Sequence, residues 1–275
     1  MLSDPQRLPG QPDLELAIVA ARAGAVELMQ RIETRTVSEK NPKDLVTDAD
    51  LAAQQAIFSM LREACPNDAL VGEEEGHTCP PESVAGNADD APACWVVDPL
   101  DGTVNFVHRL RGFAVSIGLW ARGKMRIGVI YDPCADEIFT ALDGAGAACN
   151  GVAMHSSRET QIDASMICCS FPAGVRRDAV EVQQFVNVLE ASRSVRRLGS
   201  CALNLCYVAD GRLDGYWATS VKAWDCGAGF VIAREAGAAL SAIDGGDVNL
   251  WQPRFAVSGN PTLHQTLLGL LNRDD

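Results

Sequence analysis

The chain has 275 residues, 47% hydrophobic and 21% charged, proportions that exclude disorder, collagen-like repeats and coiled coil. Its 36 acidic and 23 basic residues leave a net charge of −13, so no basic stripe offers the counterion release that nucleic-acid binding draws on, and anionic membranes should repel it. The length allows one large domain or two fused halves, and is enough to bury a sizeable core without staples.

Residues 1–12 are rich in Pro and Gln and read as a loose tail. The recurrence of Leu16, Val19, Ala20, Ala23, Val26 and Met29 predicts a helix from Asp13 to about Glu33, with Asp13 as its N-cap. A polar stretch follows, and a second amphipathic helix is expected from about Asp48 to Cys65. Residues 76–93, dense in Pro, Gly, Asp and Glu, read as a surface loop.

The hydrophobic period then changes. CWVVD is a short buried strand, and residues 113–142 read as a β-meander with turns at RGK and PCAD. Beyond it we expect a strand at Met166–Ser170, helices at Ala179–Ser192 and Cys201–Ala209, and a strand at Leu213–Trp217. Further helices are predicted from about Asp225 to Glu235 and from about Pro261 to Leu271. Helix and strand mix throughout, so the class is layered α/β (α+β).

Ten cysteines do not make a disulfide scaffold here: most sit among apolar neighbours, no CxxC pair occurs, and the four histidines are scattered, which disfavours zinc. The opening residues MLSDPQRLPGQPDLE lack a basic n-region and an apolar h-region, and no apolar stretch approaches the length of a membrane span. The expectation is a reduced, cytoplasmic protein.

Chemistry concentrates at the ends of apolar runs. Glu73, Glu74 and Glu75 follow Ala69-Leu70-Val71; Asp98 and Asp101 close the strand begun by Trp95-Val96-Val97; Asp225 follows Trp224; Asp48 and Asp50 open the second helix. Each has a bland alternative as a solvated turn, an N-cap or a first-turn acid. Together, carboxylates gathered near one strand end repel one another unless cations lie between them. Oxygen-only donors suit Mg²⁺, and Gly102 and Thr103 add a flexible backbone and a hydroxyl. Helix starts after Gly102 and at Asp225 offer N–H groups to a phosphate. Metal-assisted phosphate ester hydrolysis is the chemistry suggested.

Three rival motifs fail. Gly118 to Lys124 has P-loop spacing, but Met125 stands where Ser or Thr would hold Mg²⁺, and the context is a hairpin. Leu100-Asp101-Gly102-Thr103 is close to the haloacid dehalogenase signature, but Pro99 occupies the position of the nucleophilic aspartate. No Gly-x-Ser-x-Gly elbow occurs.

The string Asp98-Pro99-Leu100-Asp101-Gly102-Thr103-Val104-Asn105-Phe106 resembles the inositol monophosphatase family. Gly72-Glu73-Glu74, Asp44-Leu45-Val46-Thr47-x-x-Asp50, Asn204-Leu205-Cys206, Gly211-x-Leu213-Asp214-Gly215, Trp224-Asp225 and Glu235-Ala236-Gly237 agree in order. The resemblance implies one domain over residues 13–272, with the metal site in about 13–150 and the substrate side in about 151–272. It implies a layered α/β/α/β/α sandwich, a homodimer, and a Mg²⁺-dependent, Li⁺-sensitive phosphomonoesterase with two or three ions.

By the same resemblance, Glu73, Asp98, the Leu100 carbonyl and Thr103 hold or adjoin the first ion; Asp98, Asp101 and Asp225 hold the second; a third uses Glu73 and water. Glu73 and Thr103, with Asp50 behind, activate the attacking water, while Lys40 lies near a mobile loop. Gly102 and Thr103 bind phosphate oxygens, Asp101 and Asp225 border the bound substrate, and Gly199, Ser200 and Cys201 lie along its organic part. One departure concerns the alcohol: Ala218, seven residues before Asp225, stands where inositol-specific members carry a Glu. Trp217, Thr219, Ser220 and Lys222 are candidates to line a replacement pocket, or a plain strand and turn. The expected partner is a small phosphorylated polyol or sugar, first inositol-1-phosphate. Fructose 1,6-bisphosphate, histidinol phosphate, 3′-phosphoadenosine 5′-phosphate and a non-catalytic scaffold are the alternatives.

Overall fold

The structure, a computed structural model, describes residues 8–41, 44–74, 92–172 and 174–273. Helix α1 (Gln11–Arg31) leads through the antiparallel hairpin β1 (Val37–Asn41) and β2 (Asp44–Thr47) into α2 (Asp48–Ala64). Next come β3 (Ala69–Gly72), β4 (Cys94–Asp101) and the one-turn α3 (Thr103–Val107). Then β5 (Ala114–Ala121), β6 (Lys124–Asp132), β7 (Glu137–Leu142), β8 (Ala147–Cys149) and β9 (Val152–Ala153) complete a seven-stranded sheet ordered β3 to β9. Only β3 and β4 pair in parallel there.

The second half runs β10 (Met166–Ser170), α4 (Val180–Ala191), β11 (Ser194–Arg196), α5 (Cys201–Ala209), β12 (Gly215–Ala218) and α6 (Ala223–Glu235). It closes with β13 (Ala239–Ala242), β14 (Phe255–Ser258) and α7 (Pro261–Leu271). Its five-stranded sheet has the order β11-β10-β12-β14-β13, with β11, β10 and β12 parallel and β14 antiparallel to both its neighbours.

Three apolar clusters cement five layers. One joins α1 and α2 to the outer face of the large sheet, a second holds α5 and α6 between the two sheets, and the third seats α4 and α7 on the far face of the small sheet. The stack is the α/β/α/β/α order expected. No helix among the described residues is long and apolar enough to cross a membrane.

Two expectations about α1 are corrected. The helix begins at Gln11 with Gly10 as N-cap; Asp13 is its third residue, and its carboxylate accepts the Gly10 N–H at 2.9 Å. The buried stripe is Leu14, Ala17, Ala20, Ala21, Gly24, Ala25 and Leu28, while Val19, Val26 and Met29 face outward. Small residues won the inner face because the helix lies close on its neighbours: a Cβ on Gly24 would come within 2.7 Å of Ile57. Size, and not only hydrophobicity, sets which face turns in.

Helix α6 approaches the large sheet just as closely. A Cβ on Gly128 would meet the Ala228 carbonyl oxygen at 2.2 Å, a backbone atom that no side-chain rotation relieves. Gly128→Ala is expected to lower the unfolding free energy by about 3 kcal/mol through overpacking, read as a lower urea midpoint at unchanged slope. An unchanged midpoint would show that α6 can retreat without cost.

Candidate active site

The pleat of β4 sends Trp95 and Val97 toward α1 and α2, and Cys94 and Val96 toward α6. Unbroken alternation would place Asp98 and Asp101 on opposite faces. Instead Asp98 pairs with Ser116 and Asp101 with Ala114, so β4 carries one extra residue between them. Pro99, which has no N–H for the ladder, lies at this bulge. Leu100 is thereby turned into the α1/α2 core, and Asp98 and Asp101 share the face toward α6.

Helix α6 supplies the opposing acid. Asp225 is its third residue rather than its first, and accepts the Lys222 N–H at 2.8 Å. Ser116 ties this turn to the sheet, donating its hydroxyl to the Trp224 carbonyl at 3.1 Å. Each acid is thus anchored through one oxygen. Asp98 Oδ1 accepts from Leu100 N at 2.9 Å, and Asp101 Oδ2 accepts the Ser200 hydroxyl and, at 2.7 Å, the Ala202 N–H. Asp98 and Asp225 also share a side-chain hydrogen bond.

Asp50 holds the other side. It is wholly buried at the start of α2, where the Thr47 N–H and hydroxyl bond Oδ2 at 2.8 and 2.5 Å. The Thr103 hydroxyl bonds the Leu100 carbonyl at 3.1 Å and lies 3.5 Å from Asp50 Oδ1. Between β4 and α3, Gly102 adopts φ +96°, where L-residues are strained, and a Cβ there would press on Gly112 O at 3.0 Å.

Crowding shows in the acidities. Asp98 is 1% exposed, and its carboxyl is pushed well above the usual 3.8 by burial and then by Glu73, Asp101 and Asp225. Asp225 is raised by burial and the charges of Asp101 and Glu73. Burial lifts Asp101 to about 6 despite its hydrogen bonds, and Asp50 to about 6 with help from Glu74. Among the described residues no three His, Cys, Asp or Glu side chains close into a ready-made metal cage. The donor chemistry fits a hard divalent cation nonetheless: buried oxygen donors that repel one another, each oriented by a hydrogen bond on its outer oxygen.

The structure therefore brings Glu73, Asp98, Asp101 and Asp225 into one electrostatic cluster, with Asp50 and Thr103 beside Leu100. Ser200 is buried with its hydroxyl on Asp101, Gly199 is exposed, and the Cys201 thiol is buried near Tyr216 and Cys226. Ala218 is wholly buried at the end of β12, a strand observed at Gly215–Ala218. Trp217 points away from the site, into the cluster beneath α4 and α7, so it lines no pocket there. Residues 75–91 and the Lys40 side chain lie outside the described residues.

Three supports escaped sequence reasoning. Gln54 Oε1 receives the Glu74 N–H at 3.1 Å, Ser116 fastens α6, and Asn105 Nδ2 donates to Gly112 O at 2.7 Å and Leu198 O at 2.8 Å. Only Asn105 carried a signal, its place in the Asp98–Phe106 string.

Comparison with known proteins follows the same lines. A model described as the inositol monophosphatase family matches residues 11–274. A protein named Nus factor SuhB from Pseudomonas aeruginosa is 36% identical over 267 residues, covering 94% of this chain and 95% of its own. Inositol-1-monophosphatase from Mesorhizobium japonicum is 38% identical over 238 residues, 86% of each chain. A solved IMPase/NADP phosphatase complexed with Mg²⁺ and phosphate superposes with a TM-score of 0.81 at 26% identity, covering 96% of this chain and 95% of that one.

Proposed function

Since the chain belongs to the inositol monophosphatase family, we propose that it is a Mg²⁺-dependent phosphomonoesterase acting on a small phosphorylated polyol or sugar. The observation that carries this is the β4 bulge: it sets Asp98 and Asp101 on one face against Asp225, each acid oriented by a backbone N–H on one of its oxygens.

In this reading Glu73, Asp98, Asp101, Asp225 and the Leu100 carbonyl hold two Mg²⁺ ions, and Glu73 with water a third. Bound there, Mg²⁺ supplies Lewis-acid polarisation of the phosphoryl oxygens and acidifies water. The protein's own contributions are orientation and proton handling. Thr103, fixed on the Leu100 carbonyl, aligns the attacking water with Glu73, and Asp50 receives the proton through the Thr103 hydroxyl. The N–H groups of Gly102 and Thr103, at the start of α3, bind phosphate oxygens. Attack is direct, because Pro99 stands where a covalent aspartyl phosphate would need its nucleophile. Asp101 and Asp225 border the bound ester, and Gly199, Ser200 and Cys201 its alcohol. The working form is a homodimer.

The test is phosphate release from inositol-1-phosphate, fructose 1,6-bisphosphate, histidinol phosphate and 3′-phosphoadenosine 5′-phosphate. Each is assayed with Mg²⁺, with EDTA, and with Mg²⁺ plus Li⁺. Release that needs Mg²⁺ and falls with Li⁺ is expected; none from any ester would remove the reading. A second reading, a non-catalytic role, is favoured by the relatives named Nus factor. Calorimetric titration with Mg²⁺ separates the two, since a scaffold has no use for a tight ion.

A further inference from the structure

The row of β5 side chains that faces α6 is apolar except at one place. Ala114, Gly118 and Trp120 pack toward that helix, and Ser116, wholly buried, stands among them. A hydroxyl in such a row costs free energy unless it is bonded. Its bond goes to the Trp224 carbonyl at 3.1 Å, in the first turn of α6 and directly before Asp225. The same residue is the register partner of Asp98 on β4, so its Cα lies about 5 Å from that of Asp98. Ser116 thus joins the two bodies that carry the acidic cluster: the sheet, with Asp98 and Asp101, and the helix, with Asp225.

The rest of the contact permits close approach without fixing it. One turn further along α6, Ala228 sits on two glycines: a Cβ on Gly118 would come within 3.2 Å of the Ala228 nitrogen, and one on Gly128 within 2.2 Å of its carbonyl oxygen. Such packing sets how near the helix can come. It has no direction, and helix ends fray. The Ser116 bond is directional and falls on the turn that presents Asp225. Within the helix the Trp224 carbonyl has the Ala228 N–H, four residues on, as its regular partner, so Ser116 adds a second bond. Removing the hydroxyl therefore orphans no buried group. Because Ser116 lies inside the chain, whatever covers the surface in a homodimer leaves this contact as it is.

We propose that Ser116 is a positioning residue that sets the preference of the Asp98, Asp101 and Asp225 cluster for Mg²⁺ over a larger divalent cation such as Ca²⁺. This rests on the phosphatase reading above and names a control on the metal of the same site. Mg²⁺ demands near-ideal octahedral geometry at about 2.0–2.1 Å, whereas Ca²⁺ accepts about six to eight oxygens at about 2.3–2.6 Å in flexible arrangements. The three carboxylates come from two bodies, so the gap between β4 and α6 selects the ion. With the hydroxyl in place, the first turn of α6 is tied to β5 and the gap is fixed. Without it the turn is free to lift by about a few tenths of an ångström, the difference between the two ions' bond lengths.

The experiment titrates the metal-free protein with Mg²⁺ and with Ca²⁺ by calorimetry, in wild type, Ser116→Ala and Ser116→Cys. The wild type is expected to prefer Mg²⁺. In Ser116→Ala the Mg²⁺ affinity should fall about 10- to 100-fold, the usual cost of losing a support behind a metal ligand, while the Ca²⁺ affinity changes by less than about threefold. Ser116→Cys, close in size but with a weaker donor, should lose part of the preference, and it decides the matter if the alanine variant does not fold. An unchanged Mg²⁺ affinity in the variants would overturn the proposal. A loss of Ca²⁺ affinity as large as that of Mg²⁺ would overturn it too, as the mark of a structural role. A wild type that binds Ca²⁺ as tightly as Mg²⁺ would do the same. Each of these leaves the phosphatase reading standing, because phosphate release with Mg²⁺ is measured separately. A wild type that binds no Mg²⁺ would remove both readings together.

Discussion

Asp98→Asn is expected to abolish Mg²⁺-dependent phosphate release, by at least about a thousandfold, while making the metal-free protein more stable. Both effects have one cause. Asp98 is buried, and its carboxyl is raised by burial and by the charges of Glu73, Asp101 and Asp225. An amide of the same shape removes the repulsion, still presents a carbonyl oxygen to the Leu100 N–H, and gives up the anionic donor that an ion needs. The checks are thermal unfolding with and without Mg²⁺, and turnover. The variant should melt above the metal-free wild type and gain nothing from Mg²⁺. Retained Mg²⁺-dependent turnover would overturn the assignment of the site.

The second large effect is a dependence on pH that appears only when the metal is removed. In the folded chain Asp101 and Asp50 hold their protons up to about 6, against the usual 3.8, and Asp98 and Asp225 are raised as well. Between about pH 4 and 6 the native state therefore binds more protons than the unfolded chain, so stability falls as pH rises through that window. A carboxyl displaced from 3.8 to about 6 costs on the order of 3 kcal/mol once it is ionised at pH 7. Mg²⁺ binds the ionised form and reverses the loss. The stabilisation by Mg²⁺, measured as the shift in urea midpoint, is expected to be small at pH 4.5 and to grow steadily toward pH 7. A Mg²⁺ effect constant across that range would mean that the carboxylates are not its ligands.

Much of the architecture was legible because local rules suffice for it. The meander of β5, β6 and β7 follows from alternating apolar runs broken by turn residues, and α2 from Thr47 and Asp50, which cap it reciprocally. Helix α1 was misread at its face because an Ala- and Gly-rich stripe has little hydrophobic contrast. Only the neighbouring Ile57 shows that small size is what the position demands. Trp217 is open in the sequence between a pocket residue and a plain strand position, and the pleat of β12 turns it to the far side of the sheet.

The candidate site divides in the same way. The residue types and their order along the chain were determined by the sequence alone: oxygen donors without His or Cys, set at the ends of apolar runs and flanked by Gly102 and Thr103. Those choices imply a hard cation and a phosphate without any coordinates, since repulsion among carboxylates has few other remedies. Which carboxylates meet was decided by the tertiary structure. One extra residue at Pro99 and Leu100 flips Asp101 onto the face of Asp98, and close packing of Gly128 against Ala228 brings the helix that carries Asp225 down onto that face. Both are long-range facts, because a strand's facing depends on register with its partner and a helix's approach depends on the size of what lies beneath it.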